Sequence, residues 1–232
     1  MTKADESSAA EAGKAVTMTA DEVKEQVLWA AKEMLRTNLV EGTAGNLGAR
    51  LPDGNAVLTP SSLDYTEMTL ADLVVCDLDG NVLEGHRSPT TEHALHLGAL
   101  RMHSNVHATM HCHAKHCTMF ALTRQPIPAV IEEFVVYVGG DVECADYRTT
   151  GTEELGEEVA RRVADRAAVL MANHGLFAVG KDPKQVLHVA HLVERTAEIV
   201  WGARLLGEIV PIPDEVNQQF AGYYRFGRTG KF

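Results

Sequence analysis

Val106-His107-Ala108-Thr109-Met110-His111-Cys112-His113 alternates small or apolar residues with polar ones and ends in an H-x-H pair. Period-two alternation predicts a strand over 106–113. On a strand, residues two apart share a face, so His111 and His113 lie on one side, about 7 Å apart at Cα. That spacing lets two ring nitrogens converge on one cation at about 2.0–2.1 Å. Cys112 points to the opposite face and reads as a small buried residue rather than a ligand or nucleophile.

Outward from this stretch, helical and strand-like patterns alternate. Towards the N-terminus, 91–102 reads as a helix with Glu92 in its first turn, where the dipole favours an acid. Asp53-Gly54-Asn55 and Asp79-Gly80-Asn81 read as hairpin turns between short apolar runs. Thr19 with Glu22 forms a capping box ahead of a helix ending before Gly42, its core face set by Val23, Val27, Ala30, Ala31, Met34 and Leu35. Towards the C-terminus, a short helix is expected over 117–122 and a Thr152-capped helix running to Asp165. Strands follow over 169–172 and 176–179, hinged at Asn173-His174-Gly175. Asp182-Pro183 opens a long helix that Gly207 closes, and a last short helix covers 214–224. Residues 1–18 read as a disordered tail and 19–232 as one domain. The pattern is α/β, a central sheet flanked by helices.

The chain has 232 residues, a net charge of −11 and 45% hydrophobic residues. The acidic balance argues against a nucleic-acid partner, which would need basic patches to neutralise phosphates. No apolar run reaches the roughly 20 residues needed to cross a bilayer, and the acidic N-terminus does not read as a signal peptide. The four cysteines form no CxxC pair and read as reduced thiols of a cytoplasmic protein.

Eleven histidines are many for this length. His93, His96, His103, His107 and His116 are assigned to helix faces and core edges without function. His174 stands apart because it follows a buried strand in Ala172-Asn173-His174-Gly175, in a loop position suited to function. Three neutral imidazoles would leave an open metal position, the catalytic pattern. Glu92 is open to two readings, a dipole-favoured acid or a general base and fourth ligand. Gly42-Thr43-Ala44-Gly45-Asn46, Thr59-Pro60-Ser61-Ser62 and Thr90-Thr91 are hydroxyl- and glycine-rich turns that offer donors to an anion.

Taken in order, Gly42 to Leu47, Leu58-Thr59-Pro60-Ser61, Ser88-Pro89-Thr90-Thr91-Glu92, His111-Cys112-His113, Gly151-Thr152 and Asn173-His174-Gly175 resemble the class II aldolase/adducin family over roughly Asp21 to Pro213. Within the family, the motifs are most similar to those of the L-fuculose-1-phosphate aldolases. The resemblance implies a three-layer α/β/α fold with a largely antiparallel central sheet, and a homotetramer with sites at subunit interfaces. It implies a divalent metal (Zn2+, or Mn2+ or Co2+) on His111, His113 and His174. Glu92 would be the acid/base and a resting ligand. Phosphate would be bound by Gly45, Asn46, Ser61, Ser62, Thr90 and Thr91. The implied reaction is cleavage of a sugar phosphate to dihydroxyacetone phosphate and an aldehyde through a metal-stabilised enediolate. The same family includes decarboxylases, a dehydratase, pentulose-phosphate 4-epimerases and the adducin head, a scaffold without the metal histidines.

The match has departures. Ser62 stands where those aldolases carry glycine, and Thr90 and Thr91 stand where they carry serines. Thr150 replaces a phenylalanine. Ile131-Glu132-Glu133-Phe134 replaces a segment with a His-Tyr pair, and an acid pair close to a phosphate would repel it. Tyr223 and Tyr224 fall where relatives place a mobile tyrosine over a neighbour's site.

Overall fold

The computed structural model describes residues 18–230. The tail expected over 1–18 lies outside them except for Met18, which packs against the core.

Among the described residues, eight strands form one sheet in the order β4-β3-β2-β1-β5-β8-β7-β6. They are β1 (Asn46–Arg50), β2 (Ala56–Leu58), β3 (Val74–Cys76), β4 (Val82–Glu84), β5 (Ala108–Cys112), β6 (Cys144–Ala145), β7 (Ala168–Met171) and β8 (Gly175–Gly180). Each neighbouring pair is antiparallel except β6–β7. The hairpin turns at 53–55 and 79–81 join β1 to β2 and β3 to β4 as the sequence predicts. In each, an aspartate, Asp53 or Asp77, folds its carboxylate back onto the backbone N–H of Asn55 or Asn81.

Among the described residues, seven α-helices cover the sheet: α1 (Ala20–Arg36), α2 (His93–Met102), α3 (Lys115–Thr123), α4 (Glu132–Val138), α5 (Glu153–Arg162), α6 (Pro183–Leu206) and α7 (Asp214–Thr229). One face carries α2 and α5, packed over Leu58, Val169, Phe177 and Val179. The other carries α1, α3, α4, α6 and α7 over Leu47, Met110, Leu170 and Ala178. This is the three-layer α/β/α arrangement with a mostly antiparallel sheet.

Caps act where the sequence places them. Thr19 and Glu22 close a reciprocal capping box, Thr152 accepts from Leu155 N–H, and Asp182 accepts from Gln185 N–H ahead of Pro183. Several elements differ from expectation, and strand β6 at Cys144–Ala145 is absent from the sequence reading. Helix α5 stops at Arg162 rather than Asp165, and α7 continues to Thr229 rather than ending at Tyr224. Helix α4 has no counterpart in the sequence reading. It forms because Phe134, Val135 and Val138 share a buried face, while Glu132 and Glu133 sit in its first turn. Its C-terminus is the left-handed Gly139, against which Tyr224 packs. Tyr224 therefore faces inward, its hydroxyl accepting from Arg228, while Tyr223 is exposed.

Candidate metal and acid–base site

Strand β5 runs between β1 and β8, with His111 paired to Asn46 on one side and Phe177 on the other. Met110 and Cys112 enter the core on the face of α1 and α6, as alternation requires. Thr109 and His111 point towards α2, and His113 follows one residue past the strand. His174 arrives from the β7–β8 turn. Asn173 there takes a left-handed conformation (φ 56°), which asparagine tolerates. Gly175 is required by close approach, since a Cβ would sit 2.4 Å from the Cys112 carbonyl oxygen. The turn thus brings His174 against the end of β5.

The three imidazoles converge. The His111 and His113 Nε2 atoms are 3.0 Å apart, and their potential ligand atoms with that of His174 all lie within 4.8 Å of one another. His111 Nδ1 lies 3.0 Å from the Leu176 carbonyl, so that nitrogen bears the proton and Nε2 presents a lone pair to the cluster. His111 is fully buried, and burial followed by its two histidine neighbours pushes its pKa well down. His113 is shifted down for the same first reason. Three imidazoles whose ring nitrogens converge are a donor set that suits a divalent transition metal.

Glu92 does not lie in the first helical turn. It is the N-cap residue of α2, and its side chain makes no cap bond. The carboxylate is turned inward instead: Oε2 is 3.3 Å from His111 Nε2 and Oε1 is 3.5 Å from His174 Nε2. Oε2 accepts from Asn46 Nδ2 at 2.9 Å, whereas Oε1 is buried with no hydrogen-bond partner. An orphaned carboxylate oxygen facing three imidazoles suits a cation or a transferable proton. Burial and then Glu92 push the phenol of nearby Tyr65 up; its hydroxyl donates to the Gly45 carbonyl at 2.6 Å.

The hydroxyl-rich turns are drawn together. Thr90 N–H donates to Thr59 O, Ser61 N–H donates to Ser88 O, and Pro60 bridges to Pro89. Ser61 and Ser62 hydroxyls are 3.2 Å apart, and Ser62 adopts a left-handed φ of 57°. Thr90 is buried with its hydroxyl on Glu92 N–H, whereas Thr91 is exposed. Gly45 is held at φ 74°, where a Cβ would strike Val40 and the His111 carbonyl oxygen. Asn46 is buried, and its amide is spent on Glu92 and His96. Arg87 donates to Asp72 at 2.6 Å and anchors the approach to Ser88. Of the two acids that break the motif, Glu133 faces Arg195 of α6 at 3.5 Å.

Four of the histidines set aside from sequence are placed as expected: His107 is exposed, and His93, His103 and His116 are partly buried with local partners. His96 is not. It is fully buried, with Nε2 2.7 Å from Asn46 Oδ1 and Nδ1 2.7 Å from Thr109 Oγ1. Burial above all pushes its pKa down to about 3. The signal for it was present, because His96 follows Glu92 by one helical turn and shares its face.

Comparisons with known proteins bear on the family and the fold. A family model described as Class II Aldolase and Adducin N-terminal domain matches residues 25–201. The chain is 33% identical over 205 residues to a 5-deoxy-D-ribulose 1-phosphate aldolase of Bacillus thuringiensis serovar kurstaki, covering 86% of this chain and 96% of that one. It is 33% identical over 195 residues to an L-fuculose phosphate aldolase of Escherichia coli, covering 84% and 90%. A solved L-fuculose 1-phosphate aldolase superposes with a TM-score of 0.84 at 34% identity, covering 91% of this chain and all of the other. The likeness takes in the whole sheet and every turn that feeds the histidine cluster, and so this chain belongs to the class II aldolase and adducin family, among its enzymes.

Proposed function

We propose that the protein is a metal-dependent aldolase that cleaves a ketose 1-phosphate, such as L-fuculose 1-phosphate, to dihydroxyacetone phosphate and an aldehyde. Glu92 carries this reading: a buried carboxylate set between His111 and His174 with one oxygen unpartnered. A divalent cation held by His111, His113 and His174, with zinc, manganese or cobalt all compatible with the donors, would stabilise as a Lewis acid the charge left when the C–C bond breaks. Glu92, which also counts as a resting ligand, holds and returns the proton on the donor carbon. By the family resemblance, Gly45, Asn46, Ser61, Ser62, Thr90 and Thr91 receive the phosphate; the zipped 59–62 and 88–91 turns support Ser61, Ser62, Thr90 and Thr91, whereas the Asn46 side-chain amide is already engaged by Glu92 and His96.

The assembly we favour is a homotetramer. Leu205 and Leu206 at the end of α6 are 74% and 92% exposed, beside the half-exposed Trp201, an apolar surface suited to subunit contact. A cytoplasmic location fits the four free thiols. Among the described residues, no helix is long and apolar enough to cross a membrane.

The test is metal analysis of purified protein together with cleavage assays on L-fuculose 1-phosphate and 5-deoxy-D-ribulose 1-phosphate, with and without chelator. Stoichiometric metal and chelator-sensitive release of dihydroxyacetone phosphate are expected. Glu92→Gln should lower turnover by about 10²–10⁴-fold with metal content nearly unchanged. Full turnover in that variant would remove Glu92 from the reaction, and cleavage indifferent to chelator would remove the metal.

A further inference from the structure

With Glu92 ionised and the buried His96 ring neutral, the hydrogen-bond chain behind Glu92 has one self-consistent polarity. A carboxylate accepts and does not donate, so the Asn46 end facing Glu92 Oε2 at 2.9 Å is the NH2 group. The other end, Oδ1, is then an acceptor 2.7 Å from His96 Nε2, and this nitrogen must carry the proton. His96 has no exposed surface, and burial keeps it neutral, so its second nitrogen is bare. That nitrogen, Nδ1, lies 2.7 Å from Thr109 Oγ1, which must donate to it. Thr109 Oγ1 also lies 3.1 Å from the Gly48 carbonyl. Its single proton goes to the shorter contact, where the lone pair has no other donor.

We infer that His96 is a positioning residue, an Nε2–H imidazole that relays the order Thr109→His96→Asn46→Glu92, fixes a donor on Glu92 Oε2 and so reserves Oε1 for the proton exchanged with substrate. Three features support this. Oε1 is the buried oxygen with no hydrogen-bond partner, and it faces His174. Every member of the chain is buried: Asn46, Glu92, His96 and Thr109 are each no more than 6% exposed. And the ring is fixed in place, because it packs against Phe177 on β8 and its Cβ lies close to Gly48 on β1. An amide whose orientation is set by a single-tautomer imidazole cannot flip to present its carbonyl to the carboxylate. Second-sphere partners of this kind commonly matter by about 10–100-fold in activity or metal affinity.

The inference rests on the aldolase reading only for the role of Oε1; the direction of the chain can be tested apart from it. In metal-loaded protein labelled with 15N-histidine, with His96 assigned through His96→Gln, the His96 ring should show the neutral, Nε2-protonated signature. An Nδ1-protonated or doubly protonated ring overturns the relay whatever the protein catalyses. Kinetically, on the sugar phosphate that the wild type cleaves, His96→Phe should lower kcat by about 10–100-fold with KM within about twofold and metal content unchanged. His96→Gln, whose amide can still donate to Asn46, should recover most of the loss. Equal losses in the two variants, or wild-type kcat in His96→Phe, would overturn the role. Should His96→Phe fail to fold, Thr109→Val removes only the terminal proton. It should lower kcat in the same direction without a matching change in KM, and unchanged kcat counts against the relay. A wild type that cleaves neither sugar phosphate strikes the aldolase reading alone and leaves the tautomer measurement to decide the chain.

Discussion

Ser62 keeps a left-handed backbone at φ 57° although it is not glycine. The family pattern this sequence resembles implies glycine here, a residue free to adopt that conformation, whereas Ser62 meets it with a side chain that resists it. The Ser62 hydroxyl lies 3.2 Å from that of Ser61, giving the turn two adjacent hydroxyls. Ser62→Gly should therefore raise folding stability by about 0.5–1 kcal/mol, read by urea denaturation, since glycine relieves the strain at a modest entropic cost. A destabilised variant would mean that the serine hydroxyl contributes more than its backbone costs. Glu92 does the opposite, because its side chain makes no bond to the helix it begins and turns to Asn46 and the histidines.

At the scale of elements, the site depends on how neighbouring secondary structures are pinned. Glu194 of α6 accepts from the backbone N–H groups of His116 and Cys117 and lies 2.8 Å from His116 Nδ1. It thereby caps α3, the helix that begins two residues after His113, from a neighbouring helix on the same face of the sheet. Replacing Glu194 by Leu strands those donors and should cost about 2–3 kcal/mol in denaturant titration; a loss below about 1 kcal/mol would show that water satisfies them instead. The 86–91 segment is held from its other side by Asp72, whose carboxyl the Arg87 guanidinium and the Thr69 donors hold far below the usual range. The α4 helix shows why the 131–134 departure was hard to interpret from sequence. Seven residues make too short a periodic signal, and what orders them is burial of Phe134, Val135 and Val138 against the layer of α6 and α7.

For the whole molecule, acid should act through groups on both sides of the sheet. His96 has a folded pKa near 3 against an unfolded value of about 6.5, so the unfolded chain binds its proton first. This group has no effect on stability above about pH 6.5, and it lowers stability as pH falls from there towards 3. Asp72 has a depressed folded pKa, so its contribution is full above about pH 3.9 and fades below that. Thermal denaturation should accordingly show a falling midpoint between pH 6.5 and 4 that is smaller in His96→Gln; the same slope in both proteins would assign the loss to other groups. Metal acts in the other direction. Zn2+ added to chelator-treated protein should raise stability by about 4 kcal/mol at a thousandfold excess over its Kd, because it binds the folded arrangement. No shift in the melting midpoint would mean that the three histidines do not hold it.

The sequence by itself determined the local structure: caps, hairpin turns, the alternation that puts His111 on one face and Cys112 on the other, and the three histidines as a set. These depend on spacing along a helix or strand, which the order of residues encodes directly. It also carried the resemblance to the family, through short motifs in a fixed order. Only the tertiary structure decided which atoms meet. That Glu92 leaves its helix to face His111 and His174, that Asn46 joins it to a histidine read as packing, and that the two hydroxyl-rich turns close on one another all depend on contacts between residues up to 82 positions apart. Such contacts are set by strand order and register, with β5 between β1 and β8, and no local pattern specifies that order.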